Sequence, residues 1–127
     1  MRDVIYSSVR PLMLGDGKTA RQAAWRFFAA YGVTSTVMDI KRSLISSLSP
    51  FLSFRHLPPV KADEFILMSL ERFADEAPDV TVIIVPCEEL FRDFIDRNLA
   101  RLEARFIIRS PERVCDVRPS QRHIIKD

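Results

Sequence analysis

Pro11-Leu12-Met13-Leu14-Gly15-Asp16-Gly17-Lys18-Thr19-Ala20 is the stretch that decides the fold. The apolar run over residues 9–14 reads as a buried strand, with Pro11 tolerable only near its start. From Thr19 the period changes: Ala20, Ala23, Ala24, Phe27, Phe28 and Tyr31 fall at helical spacing, while Arg21, Gln22 and Arg26 lie off that face. Gly32 then supplies a left-handed stop. Strand, glycine turn and helix in this order bring backbone N–H groups and a positive helix end against an anionic group. A substrate- or anion-binding site is therefore expected at Gly15, Asp16, Gly17, Lys18 and Thr19. Only three glycines occur in the chain, and two of them share this turn, which indicates a backbone need. A side chain placed at Gly17 is expected to do more harm than the loss of the Lys18 side chain.

Outward from this unit, residues 33–38 are short and β-branched and end in Asp39, the pattern of a second strand. Residues 41–60 interleave serines with Leu44, Ile45, Leu48, Phe51, Leu52 and Phe54 and close on Pro58-Pro59; they read as short helical turns or a packed loop. Residues 62–77 read as a helix, with Pro78 beyond its end. Thr81-Val82-Ile83-Ile84-Val85 is continuously apolar and β-branched, as a central parallel strand covered on both faces should be. Pro86, Cys87 and Glu88 then form a strand-to-helix corner, and a helix is expected to run on to about Ala104. Phe106-Ile107-Ile108 reads as a fourth strand, and a further short strand is entertained at His123-Ile124-Ile125. Strands alternating with helices predict an α/β protein: a three-layer α/β/α sandwich, Rossmann-like, on a short, mainly parallel sheet of four to five strands. Residues 1–110 form the expected domain and 111–127 a tail or linker. Ligands of such sheets bind at the carboxyl ends of the strands, which here carry Gly15 to Thr19, Asp39, and Pro86, Cys87 and Glu88.

Composition excludes several classes of function. At 127 residues one domain with a single sizeable core is expected. A formal net charge of +2 argues against nucleic acid or an anionic membrane surface as partner. No apolar run approaches the roughly 18 residues of a membrane span, and the first eight residues are too mixed for a signal peptide. Cys87 and Cys115 form neither a disulfide framework nor a metal motif, so a reducing, cytoplasmic compartment is expected.

Gly15 to Ala20 matches G-x-G-x-x-A, and Asp39 falls where a ribose-binding acid belongs, so a nucleotide-binding unit stands beside the plainer reading of a tight packing turn. Gly17-Lys18-Thr19 echoes a phosphate-binding P-loop, but position 12 is Leu12 where that motif needs glycine. A phosphoacceptor receiver domain would need an acidic pair and an aspartate ending the third strand; Asp16 is single and that strand ends in Val85-Pro86-Cys87. Cys87 sits at an expected helix N-terminus, where a thiolate is stabilised. With neither His56 nor His123 nearby in sequence, it reads as a small residue lining a pocket. Arg97, Arg101 and Arg105 recur every four residues and read as a solvated face that complements the helix dipole.

Four pieces, taken in order, carry a family resemblance: Leu14-Gly15-Asp16-Gly17; Ala20-Arg21-Gln22-Ala23-Ala24 leading to Tyr31-Gly32-Val33; Val85-Pro86-Cys87 with the helix through Arg97-Asn98; and Leu102-Glu103-Ala104-Arg105-Phe106-Ile107-Ile108. Over residues 9–110 the chain resembles the N-terminal, pre-ATP-grasp domain of ATP-grasp carboxylate–amine ligases of the carbamoyl-phosphate-synthase-like type. The resemblance implies a ligase that activates a carboxylate as an acyl phosphate with ATP and Mg²⁺ and couples it to an amine. It implies also that ATP is held by later domains, so this chain binds no cofactor itself, contributes no catalytic residue and cannot catalyse the ligation alone. The partners it implies are downstream ATP-grasp domains, or else a homo-oligomer, with a small carboxylate or amino acid as substrate. Two other functions remain open: a stand-alone Rossmann-type nucleotide sensor with Asp39 on a ribose, and a ligand-free interaction domain docking through Phe51 to Leu57.

Overall fold

The computed structural model describes residues 9–42, 49–59 and 62–116. The strand expected at 123–125, His123 and residues 43–48 and 60–61 of the serine-rich segment lie outside them. In chain order the elements are β1 (Val9–Leu14), α1 (Lys18–Tyr31), β2 (Ser35–Asp39), β3 (Leu52–His56), α2 (Asp63–Asp75), β4 (Thr81–Pro86), α3 (Glu89–Arg97), α4 (Leu99–Glu103) and β5 (Ile107–Ile108), followed by a 3₁₀ turn at Pro111–Arg113.

The five strands form one sheet in the order β3-β2-β1-β4-β5, with every pairing parallel. Because side chains alternate across a strand, β1 and β4 feed two cores. Val9, Met13, Ile83 and Val85 face α1, whose Ala20, Ala23, Ala24 and Phe27 are fully buried. Leu12, Leu14, Val82 and Ile84 face the opposite layer, where α2 supplies Leu67, Leu70 and Phe73 and α3 supplies Phe91 and Phe94. The result is the three-layer, Rossmann-like α/β sandwich expected from the alternation. The winding explains which helix lies where: the chain leaves β1 toward β2 and β3, then jumps back to β4 and β5. Right-handed crossovers in opposite directions put their helices on opposite faces. Pro11 is tolerated inside β1 because the β2 ladder begins one residue later, at Leu12 opposite Thr36.

Several expectations are corrected. Residues 52–56 of the serine-rich segment form β3, an edge strand paired with β2 from Ser35–Leu52 to Asp39–His56. Phe51, Leu52 and Phe54 are half-buried against the α1 core and Leu57 is buried, so much of the segment covers the core. Trp25, about half exposed, rests on Phe51 at 5.8 Å between ring centroids. The second strand starts two residues later than expected, at Ser35. The helix expected to reach Ala104 breaks at Asn98, whose side-chain amide donates to the Phe94 carbonyl and to Asp63 Oδ2, both at 2.9 Å. That side chain offers the backbone an alternative to the helical ladder, as asparagine does.

Arg97, Arg101 and Arg105 are exposed, but they are paired and not merely solvated. Arg97 bridges Asp63 at 2.9 Å, Arg101 bridges Glu71 at 3.3 Å, and Arg105 meets Asp75, so α2 is laced to α3 and α4 along its length. Exposed pairs of this kind each contribute at most about 1 kcal/mol. Residues 111–116 pack on α1: Val114 is fully buried, Arg26 donates to the Pro111 carbonyl and the Tyr31 hydroxyl to the Cys115 carbonyl at 2.8 Å. No described helix is long and apolar enough to cross a membrane.

Candidate functional site

The winding reverses between β1 and β4, whose carboxyl ends meet on the one edge where the sequence gathered its candidate residues. Cys87 N–H donates to the Leu14 carbonyl at 2.8 Å, and Pro86 pairs with Leu14, so the glycine turn and the β4 corner lie side by side. Crevices for ligands in open α/β sheets form at this kind of reversal.

Gly15 is the residue the turn cannot replace. Its φ is +108°, a region L side chains rarely adopt, and a Cβ there would lie 2.8 Å from Glu88 Cγ. Gly15 N–H donates to the Met38 carbonyl, which holds the turn against β2. The strained position is thus Gly15 and not Gly17: Gly17 is extended at φ −173°, and a Cβ on it would meet only Glu88 Oε2 at an ordinary 3.7 Å. Lys18 and Thr19 are exposed on the first turn of α1, and Gly17 caps that helix without a side-chain bond.

Asp39, at the end of β2, accepts the Asp16 N–H on Oδ2 and the Ile40 N–H on Oδ1, both at 2.7 Å. Its carboxylate does for the glycine turn what a bound anion would do, namely take up a backbone N–H. Glu88 faces the same turn, and its carboxyl, exposed at the surface but partly desolvated there, is pushed above the usual range by that desolvation first, then by the Asp39 and Asp16 carboxylates. The reversal point therefore gathers Asp16, Asp39 and Glu88, three groups of one sign. Cys87 is buried, its Sγ 3.4 Å from the Val85 carbonyl, and its pKa is pushed up to about 12 by burial and then by Glu88. A helix N-terminus lowers thiol pKa values where the thiol is open to water. At Cys87 desolvation prevails, and the side chain is a corner filler.

Two hollows that share part of their lining open at this edge. A groove of about 330 Å³ is lined by Asp39, Ile40, Lys41, Glu88, Leu90 and Phe91. It shares Ile40, Leu90 and Phe91 with an apolar pocket of about 60 Å³ that reaches Leu57, Ile66 and Phe94 between α2 and α3. The Asp63–Arg97 pair stands on the rim of that pocket. A wider hollow of about 560 Å³ at Pro78, Asp79 and Arg105 lies at the amino end of β4, away from the strand ends that bind ligands in this architecture. Among the described residues, no group of three or more His, Cys, Asp or Glu side chains is placed to hold a metal ion.

The structure thus brings Gly15, Asp16, Gly17, Asp39, Pro86, Cys87 and Glu88 to one edge and leaves Lys18 and Thr19 on the solvent side of α1. Sequence reasoning missed Ile40, Leu57, Ile66 and Leu90, which form the apolar part. The signals for three of them were the density of large apolar residues between Phe51 and Leu57 and the apolar helical spacing that includes Ile66 and Leu90. Comparison with protein-family models, with curated proteins and with solved structures finds no match to this chain.

Proposed function

We propose that this chain is the substrate-side domain of an ATP-grasp carboxylate–amine ligase, with ATP and Mg²⁺ held by further domains. The observation that supports this reading over a dinucleotide sensor is the state of the glycine turn. A pyrophosphate bound at a helix N-terminus is favoured by positive surroundings, but here Asp39 lies against the turn as acceptor of the Asp16 N–H, and Glu88 adds a second carboxylate beside it. The edge suits a small molecule presented to a reaction whose phosphate chemistry happens elsewhere. Candidate contacts for that molecule are Gly15, Asp16, Asp39, Cys87 and Glu88.

Two measurements test this. NAD and ATP with Mg²⁺, each at millimolar concentration, are expected to leave the melting temperature unchanged; ligand at a hundred times its Kd would add about 2.7 kcal/mol, a shift easily seen. A clear upward shift with NAD would favour the sensor instead. The coding sequence around this chain is then read for ATP-grasp domains, and the joined polypeptide assayed for ADP release. Release that requires both a carboxylate and an amine is the expected result; no ATP-grasp partner in the same polypeptide or complex would sink the ligase reading.

A further inference from the structure

We infer that the carboxyl edge of the sheet binds an aliphatic primary ammonium ion, its head at the Glu88–Asp39 groove and its short apolar tail in the pocket between α2 and α3. The inference deepens the ligase reading, on which it rests for the fate of the amine but not for the binding itself.

The shape comes from the apolar pocket. Ile40, Leu57, Ile66, Leu90, Phe91 and Phe94 surround a space of about 60 Å³, which admits an alkyl group of a few carbons and offers no polar partner except at its rim. That rim is closed to new ionic contacts on one side, because Asp63 is held by Arg97 at 2.9 Å and by Asn98. On the other side Ile40, Leu90 and Phe91 line both the pocket and the groove, so a tail seated in the pocket has Asp39 and Glu88 of the groove as its nearest carboxylates beyond those shared side chains.

The sign of the head follows from the groove. Its ionisable lining is Asp39, Glu88 and Lys41, with Asp16 close enough to act on Glu88. Lys41 is exposed, and it leaves the two carboxylates in excess by one charge. A carboxylate or phosphate head would face like charges. An ammonium donates three hydrogen bonds and supplies the counter-charge that burial and neighbouring acids deny Glu88. An apolar hole opening onto a few convergent polar groups is the usual build of a small-molecule site.

The test is a titration of the chain, followed by methyl and amide NMR, with n-butylammonium, methylammonium, n-butanol, butyrate and inorganic phosphate at one ionic strength. Butylammonium should bind tightest and shift the signals of Ile40, Ile66, Leu90 and Phe91. Butanol and methylammonium, each lacking one half of the pharmacophore, should bind about tenfold more weakly, and butyrate and phosphate not measurably; a hydrogen bond to a charged group is worth roughly that factor. Glu88→Gln should weaken butylammonium about tenfold and leave butanol unchanged. Leu90→Ser, at a side chain already about half exposed and hence safe for folding, should weaken both. Butyrate or phosphate binding as well as butylammonium, or a Glu88→Gln variant that binds it unchanged, would overturn the inference. Should butylammonium fail while the joined polypeptide still couples a carboxylate to an amine, the inference falls and the ligase reading stands; binding without any such activity gives the reverse.

Discussion

Gly15→Ala offers the sharpest check on how the site edge is built. The backbone at Gly15 sits at φ +108°, and holding an L residue in such a region costs on the order of 1–3 kcal/mol. The added Cβ would also lie 2.8 Å from Glu88 Cγ, but Glu88 is an exposed side chain that can swing away, so this part of the cost is small. The conformational part cannot be relieved locally, since Gly15 N–H is tied to the Met38 carbonyl and Asp16 N–H to Asp39. Gly17→Ala is the internal control. Its φ of −173° is open to any residue and its nearest neighbour is at 3.7 Å, so a change within about 0.5 kcal/mol is expected. Urea unfolding followed by circular dichroism gives both values, provided the m-values stay equal. For a domain of this size Gly15→Ala should lower the melting temperature by roughly 3–10 °C. The double variant Gly15→Ala/Glu88→Ala should recover little of that loss. If Gly15→Ala unfolds within about 0.5 kcal/mol of the parent, or Gly17→Ala costs more than Gly15→Ala, the account of the turn is wrong.

Phe73→Ala should cost about 3–5 kcal/mol in urea unfolding, since the fully buried ring also floors the guanidinium groups of Arg10 and Arg55, at 3.8 and 5.0 Å from its centroid; a loss below about 1 kcal/mol would contradict that packing. Cys87, buried and with its pKa at about 12, should resist iodoacetamide at pH 8 in the native chain and react only on unfolding, a timing that mass spectrometry of quenched samples reads directly. For Glu88 the folded pKa is raised, so the native state holds the proton more tightly and stability falls as pH rises from about 4.5 through the folded value. Glu88→Gln should therefore stabilise the chain at pH 7, with the gain vanishing below about pH 4; an unchanged difference across that range would refute the crowding of carboxylates. Asp63 shows the opposite sign. Arg97 and Asn98 hold its pKa down, so its contribution is present above the unfolded value of 3.8 and is lost as pH falls through the folded one. The destabilisation by Asp63→Asn should close on acidification in melting experiments, and a gap that persists at pH 2 would contradict the pairing.

The sequence by itself determined the architecture and the sheet edge at which its candidate residues come together. The switch from an apolar run to helical period across Gly15 to Thr19 marked β1, the turn and α1, and the β-branched run at Thr81 marked the other central strand. Those signals are local: strands buried on both faces must be continuously apolar, and one buried helix face must recur at 3.6 residues. Three things were decided only in the tertiary structure. β3 was hidden because an edge strand is half-exposed and its pattern, Leu52-Ser53-Phe54-Arg55-His56, makes sense only against β2 and the α1 core. Asn98 breaks its helix because Asp63, 35 residues away, offers the amide a partner. The polarity of the glycine turn likewise depends on distant residues. Gly-x-Gly before a helix suggests an anion cradle, but β2 delivers Asp39 and the β4 corner delivers Glu88 to the same place. Charge acts through space and not along the chain, and so the motif gave the position of the turn while its neighbours in the fold set the sign of its surroundings.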